Sequence, residues 1–79
     1  MTRGYLIEAI GYLLNTIMNR WPERVTRDHS GMPGTYIKVY DDLTIWVGDH
    51  FTWDMWTVDE LKSIADKLHE VRQTLETAA

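Results

Sequence analysis

The residues best suited to chemistry are the three histidines, two of which follow an aspartate, in "RDH" and "GDH". The spacing of His29, His50 and His69 matches no zinc-binding pattern, and the chain has no cysteine, so we predict neither a metal site nor a cofactor. Asp28, His29 and Ser30 supply the residue types of a hydrolytic triad, but adjacent side chains point in different directions and cannot form its hydrogen-bond chain. The sequence also lacks a nucleophile elbow, a P-loop and a dinucleotide-binding fingerprint. We therefore predict that the chain is not an enzyme.

Three arginines at the start of a polar loop, Arg20, Arg24 and Arg27, are candidates for phosphate contacts. Ordinary solvated side chains are the alternative interpretation. The net charge is −4, and residues 39–79 alone carry three basic against nine acidic residues. Because nucleic-acid binding depends on Lys and Arg, direct nucleic-acid binding is not expected, and the acidic half of the chain suits a basic partner instead.

The segment "TIWVGDHFTWDMW", residues 44–56, contains three of the chain's four tryptophans. Large aromatic side chains either fill a core or anchor a partner. Which role each ring takes depends on the face of the fold that it occupies, and therefore on the elements that carry it.

Two amphipathic helices are predicted, over residues 3–21 and 58–76. Thr2 can cap the first helix, and Pro22 ends it because the residue before a proline is pushed out of the α region. Thr57 and Glu60 form a capping box at the start of the second helix. The apolar stripe of the first helix comprises Leu6, Ile7, Ile10, Leu13, Leu14, Ile17, Met18 and Trp21.

Three strands are predicted between the helices, over residues 35–40, 43–47 and 51–56, because these segments are rich in β-branched and aromatic residues. Residues 22–34 read as a loop, and its length leaves a short edge strand around residues 24–27 as an alternative. Three-residue connections at 41–43 and 48–50 place the apolar residues on one face. These connections pair Ile37 with Val47, Val39 with Ile45, Val47 with Phe51, and Ile45 with Trp53.

The predicted fold is α+β, a single domain over residues 1–79 with the order α-β-β-β-α. Its three-stranded antiparallel meander carries both helices on one face. The inner face would hold Ile37, Val39, Leu43, Ile45, Val47, Phe51, Trp53 and Met55. The outer face would show Tyr36, Lys38, Tyr40, Thr44, Trp46, Thr52, Asp54 and Trp56. There are two alternatives. A helix or the 22–34 loop could fold over this outer face, or the rings could lie apart from one another, each masked by Lys38 or by the threonines.

An open face of this kind would be an aromatic platform for a macromolecular partner. Acidic residues would converge at one end of the sheet and guide a basic partner by electrostatic attraction. The candidate partner-binding residues are Tyr36, Tyr40, Trp46, Trp56, Asp41, Asp42, Asp54, Asp59 and Glu60. A second stripe on the first helix, through Tyr5 and Tyr12, is a candidate dimer or secondary contact.

The leading functional hypothesis is a small protein that binds, and thereby inhibits, another protein or ribonucleoprotein with a basic surface. In size, acidity and lack of cysteine, the chain resembles phage-encoded inhibitors of host machinery, including anti-CRISPR proteins and DNA mimics. Two alternatives are a structural homodimer and a single-stranded nucleic-acid-binding module that uses the arginines and the rings. No apolar run could span a membrane, and the lack of cysteine favours a cytoplasmic location, which is the host cytoplasm for a phage protein.

Overall fold

The computed structural model describes residues 2–28, 37–48 and 56–78 and has an α+β fold, as predicted. Its helices are α1 (Arg3–Arg20) and α2 (Val58–Ala78), and its strands are β1 (Val25–Asp28), β2 (Ile37–Val39) and β3 (Ile45–Gly48). A 3-10 turn, Pro22–Arg24, joins α1 to β1. The described helices and strands form one helical layer on one sheet.

The start and the end of α1 follow from local chemistry. The Thr2 hydroxyl accepts a hydrogen bond from the Tyr5 amide at 3.2 Å, so it caps the helix as predicted. The last α-helical hydrogen bond runs from the Trp21 amide to the Ile17 carbonyl at 2.7 Å. Pro22 then begins the 3-10 turn and ends α1 as expected.

The start of α2 is the predicted capping box. The Thr57 amide donates to the Glu60 carboxylate at 3.1 Å, and the Glu60 amide donates to the Thr57 hydroxyl at 3.1 Å. Two amides that lack helical partners are thereby satisfied reciprocally. The helix buries one apolar stripe, composed of Leu61, Ile64, Ala65, Leu68, Val71 and Leu75.

The β2–β3 hairpin has the register that side-chain parity predicted. Ile37 lies opposite Val47, and Val39 lies opposite Ile45, in an antiparallel pair. The three-residue connection therefore brings the apolar side chains of both strands to one face. Ile37, Ile45 and Val47 are all buried.

The predicted antiparallel meander is wrong, because the sheet is mixed and has the order β1-β3-β2. The edge strand that the sequence left open near residues 24–27 exists as β1 and pairs in parallel with β3, with Val25 opposite Ile45. It occupies the edge of β3 that the meander assigned to residues 51–56. That strand and its pairings with Phe51 and Trp53 fall on 51–55, outside the described residues, and Trp56 belongs to no strand. Hairpin parity relates consecutive strands only, so it could not predict a parallel partner from before the loop.

One hydrophobic core lies between the two helices and the inner face of the sheet. It contains residues from α1, α2, β2 and β3, including Ile10, Ile45 and Leu68, which are each 0% exposed. Val39 and Leu43 pack against it in partly buried positions. Lys38 and Trp46 are exposed, so neither helix covers the outer face at these positions. Neither described helix has an apolar stretch long enough to cross a membrane.

Candidate functional site

The turn of the β2–β3 hairpin is the structural centre of the candidate site. The Tyr40 amide donates to the Thr44 carbonyl at 2.9 Å, and the Leu43 amide donates to the Tyr40 carbonyl at 3.0 Å. Leu43 has φ 68°, a left-handed conformation that costs an L-residue with a side chain about 1–2 kcal/mol. Its side chain packs against the core. Packing and closure of the hairpin therefore hold Leu43 in a conformation that a leucine does not favour by itself.

Asp42 fixes the same turn from the solvent side. Its carboxylate accepts hydrogen bonds from the Thr44 hydroxyl and from the Thr44 amide, the latter at 3.1 Å. These two hydrogen bonds, with a smaller contribution from the positive charge of Arg24, lower the pKa of Asp42 below its ordinary value. Arg24 also donates to the Asp42 carbonyl at 2.8 Å, which ties the 3-10 turn to the hairpin. The Asp42 carboxylate is thus ionised and fixed in direction at neutral pH.

A shallow hollow of about 520 Å³ lies on the outer face beside this turn, and we call it the outer depression. It is lined by Tyr40, Asp41, Asp42, Thr44 and Trp46. Tyr40 is 46% exposed and Trp46 is 38% exposed. Two large aromatic surfaces and two carboxylates therefore share one hollow.

A second hollow, of about 280 Å³, lies between the hairpin and α2, and we call it the hairpin cleft. It is lined by Val39, Tyr40, Asp41, Leu43, Lys67, Glu70 and Val71. Tyr40 and Asp41 line both hollows, so they form the wall between them. Sequence reasoning missed the contribution of α2, since only the packing of the helix beside β2 brings Lys67 and Glu70 to the turn.

Four of the nine predicted partner-binding residues come together in the outer depression: Tyr40, Asp41, Asp42 and Trp46. Two others, Tyr36 and Asp54, lie outside the described residues. Trp56 was expected on the outer face, but it is partly buried and packs against the core.

The acids of α2 do not line either hollow. Glu60 accepts a hydrogen bond from the Thr57 amide, and Asp59 lies beside it in the first turn of the helix. Lys67 is the first residue of α2 to line the hairpin cleft, and it lies seven residues, or about 10 Å, further along the helix than Glu60. Asp59 and Glu60 therefore do not belong to the same site as the carboxylates of the hairpin turn.

The three arginines have separate surroundings. Arg20 forms an ion pair with Glu76 at 2.6 Å and lies 4.4 Å from the centre of the Trp21 ring. The Arg24 guanidinium is held by the hairpin turn, as described above, while Arg27 is exposed on β1. Two of the three guanidinium groups thus have partners within the chain, and a shared phosphate contact stays a prediction.

The tyrosine stripe of α1 is exposed, with Tyr5 at 60% and Tyr12 at 63%. The Arg72 guanidinium lies 5.7 Å from the centre of the Tyr12 ring and donates to Glu76 at 3.3 Å. Tyr12 therefore borders a small charge network that joins the helices, and a dimer contact through this stripe stays a prediction.

Within residues 2–28, 37–48 and 56–78, no group of three or more His, Asp or Glu side chains is arranged to hold a metal ion. His69 is exposed on α2. His29, Ser30 and His50 lie outside the described residues, so the structure does not test the predictions that concern them.

The fold and this surface define a small α+β protein with an acid-edged aromatic depression on the outer face of a mixed sheet. Comparisons with protein-family models, with curated proteins and with solved structures gave no match. A functional proposal therefore depends on the geometry of this surface.

Proposed function

We propose that this protein binds a partner protein or ribonucleoprotein through the outer depression and acts by occupying a basic surface of that partner. One observation supports the proposal above all: exposed Trp46 and Tyr40 line the same hollow as Asp41 and Asp42. Tryptophan and tyrosine are frequent anchor residues in protein interfaces, where the burial of a few such side chains supplies most of the binding free energy.

Electrostatics supports a basic partner rather than an acidic one. Among the described residues, Asp41 has no hydrogen bond or ion pair, so its carboxylate is available to an incoming cation. Arginine and lysine side chains bind favourably over indole rings when a carboxylate lies nearby. The excess of acids in residues 39–79 would steer such a partner during association.

We further propose that this binding inhibits the partner. A nucleic-acid-binding partner keeps a groove rich in Lys and Arg for phosphates. The carboxylates of the hairpin turn would take the place of phosphates there, as in a DNA mimic or an anti-CRISPR-type inhibitor. Trp46 would add an apolar anchor that phosphates lack.

Partner capture tests the proposal. The chain, immobilised at low salt, should retain a specific protein from a lysate of the organism in which it acts, as identified by mass spectrometry. The double variant Trp46→Thr, Asp41→Lys should lose this capture, because it removes one ring and reverses one charge of the outer depression. We expect the fold to be kept, since both positions are exposed. Circular dichroism would check the fold.

The matched control is Tyr5→Ala, Glu8→Lys, which removes an exposed ring and reverses an exposed charge on α1. Capture should survive in this variant. If the control variant lost capture and the double variant kept it, the partner would bind α1 and the proposal would be overturned.

Two further measurements separate the alternatives. Sedimentation of the chain at low micromolar concentration should show a monomer, and a stable dimer that Trp46→Thr dissociates would favour the homodimer instead. Titration with single-stranded oligonucleotide at low salt should leave tryptophan fluorescence unchanged. A saturable change that depends on Arg27 or Trp46 would favour the nucleic-acid-binding module.

A further inference from the structure

The two hollows differ in chemistry on either side of a shared wall. We infer, on the basis of the proposed function, that the partner presents an extended peptide segment across the hairpin turn. One arginine of this segment enters the outer depression, and a neighbouring aliphatic side chain enters the hairpin cleft. Tyr40 and Asp41, which line both hollows, separate the two side chains.

The outer depression is suited to a guanidinium group. Its lining offers the rings of Tyr40 and Trp46 and the carboxylates of Asp41 and Asp42, and it contains no basic residue. A guanidinium can stack on an aromatic face and donate two hydrogen bonds to a carboxylate at once, which an ammonium group cannot do. The nearby Arg24 guanidinium is already bound to the Asp42 carbonyl. Arginine is therefore the better ligand for this hollow.

The hairpin cleft is suited to an apolar side chain. Val39, Leu43 and Val71 supply aliphatic surface, and the opposite charges of Lys67 and Glu70, three residues apart on α2, offset each other in its lining. At about 280 Å³ the cleft falls just below the range of about 300–1,000 Å³ that small-molecule sites occupy. This volume accommodates a single leucine-like side chain, and the three aliphatic lining residues supply its contacts.

The wall between the hollows is rigid enough to set the spacing of the two side chains. Leu43 holds the turn from the core side in a left-handed conformation, and Asp42 holds it from the solvent side through Thr44. A non-glycine residue kept in this conformation is more frequent at binding sites than elsewhere. A fixed turn favours peptides with one preferred number of residues between the arginine and the aliphatic side chain.

Labelled peptides test this inference directly. Each peptide carries one Arg and one Leu in a Gly/Ser background, with a different number of intervening residues, and binding is followed by fluorescence anisotropy at low ionic strength. One spacing should bind best. In that peptide, replacing Arg by Gln or Leu by Ser should each weaken binding about tenfold.

Two protein variants assign each peptide side chain to its hollow, since Trp46 lines only the outer depression and Lys67 only the hairpin cleft. Trp46→Thr should reduce the preference for Arg over Gln, which Tyr40 and the carboxylates of Asp41 and Asp42 would still support in part. Lys67→Trp, which fills the cleft from its exposed rim, should abolish the preference for Leu over Ser. Lys62→Trp, an exposed position on the same helix, is the matched control and should change neither preference.

The outcomes distinguish this inference from the proposed function. Binding that depends on Arg but not on Leu would overturn the role of the hairpin cleft and leave the proposed function standing. No binding by any peptide would overturn the inference, while capture from the lysate would still decide the function. Equal binding by peptides in which glutamate replaces arginine would overturn both.

Discussion

Individual side chains divide the aromatic surface of this protein between two roles. Trp46 lies on the outer face of β3, opposite Lys38, and more than a third of it is exposed. Trp56, ten residues later, is partly buried against the core. The same residue type therefore contributes to binding at one position and to stability at the other.

Substitution of these two tryptophans should separate the roles. Trp56→Ala should lower the free energy of unfolding by about 2–3 kcal/mol, somewhat less than the loss of a fully buried tryptophan. Trp46→Thr should cost less than Trp56→Ala, because threonine suits a strand and Trp46 is the more exposed of the two tryptophans. Urea unfolding followed by circular dichroism measures both. If Trp46→Thr proved the more destabilising, the ring would belong to the core and the outer depression would not be a binding surface.

Among the helices and strands, α1 contains a feature that its own packing does not require. Gly4 and Gly11 lie in the helix, and a Cβ atom built at either position would meet nothing within 4 Å. Glycine in a helix interior is less stable than alanine because it loses more conformational freedom on folding. The chain thus has a stabilising substitution open to it.

Gly11→Ala should raise the free energy of unfolding by about 0.5–1 kcal/mol, with Gly4→Ala giving a smaller gain near the helix start. Thermal unfolding at several protein concentrations measures this. A gain that is independent of concentration would show that α1 is free at this position. A loss of stability confined to high concentration would instead indicate that a second copy of the chain packs on this face.

For the whole molecule, two carboxylates link folding to pH. The hydrogen bond from Arg72 and the contact with Arg20 lower the pKa of Glu76 below its ordinary value of 4.5. The Thr44 hydroxyl and amide lower the pKa of Asp42 below its ordinary value of 3.8. One carboxylate joins the ends of the two helices, and the other fixes the hairpin turn.

Both pKa values are lower in the folded chain than in the unfolded chain. Their contribution to stability is therefore fully present above about pH 4.5 and is lost as the pH falls through the folded values. Urea midpoints measured between neutral pH and pH 3 should decrease in this acidic range. Glu76→Gln and Asp42→Asn, which keep the shape of each side chain, should each flatten the decrease. If the urea midpoint of both variants fell with pH as steeply as that of the original chain, Glu76 and Asp42 would not be the groups that link stability to pH.

Local sequence determined the helices, their capping residues and the register of the β2–β3 hairpin, because each depends on residues within a few positions of one another. Thr2, Pro22 and the pair Thr57 and Glu60 act on their own turns, and side-chain parity relates Ile37 to Val47 across a short connection. The same parity placed Tyr40 and Trp46 on the outer face, and Asp41 and Asp42 lie in the turn of the same hairpin.

Only the tertiary structure decided what joins segments that lie far apart in the chain. The parallel pairing of β1 with β3 brings Val25 beside Ile45, twenty positions away. Likewise, the packing of α2 brings Lys67 to the hairpin and leaves Glu60 at the helix start. The apolar pattern of one segment records that a face is buried, but not which other segment buries it. Which segments pack together depends on all the apolar faces of the chain at once, and the packing of α2 beside the hairpin forms the hairpin cleft.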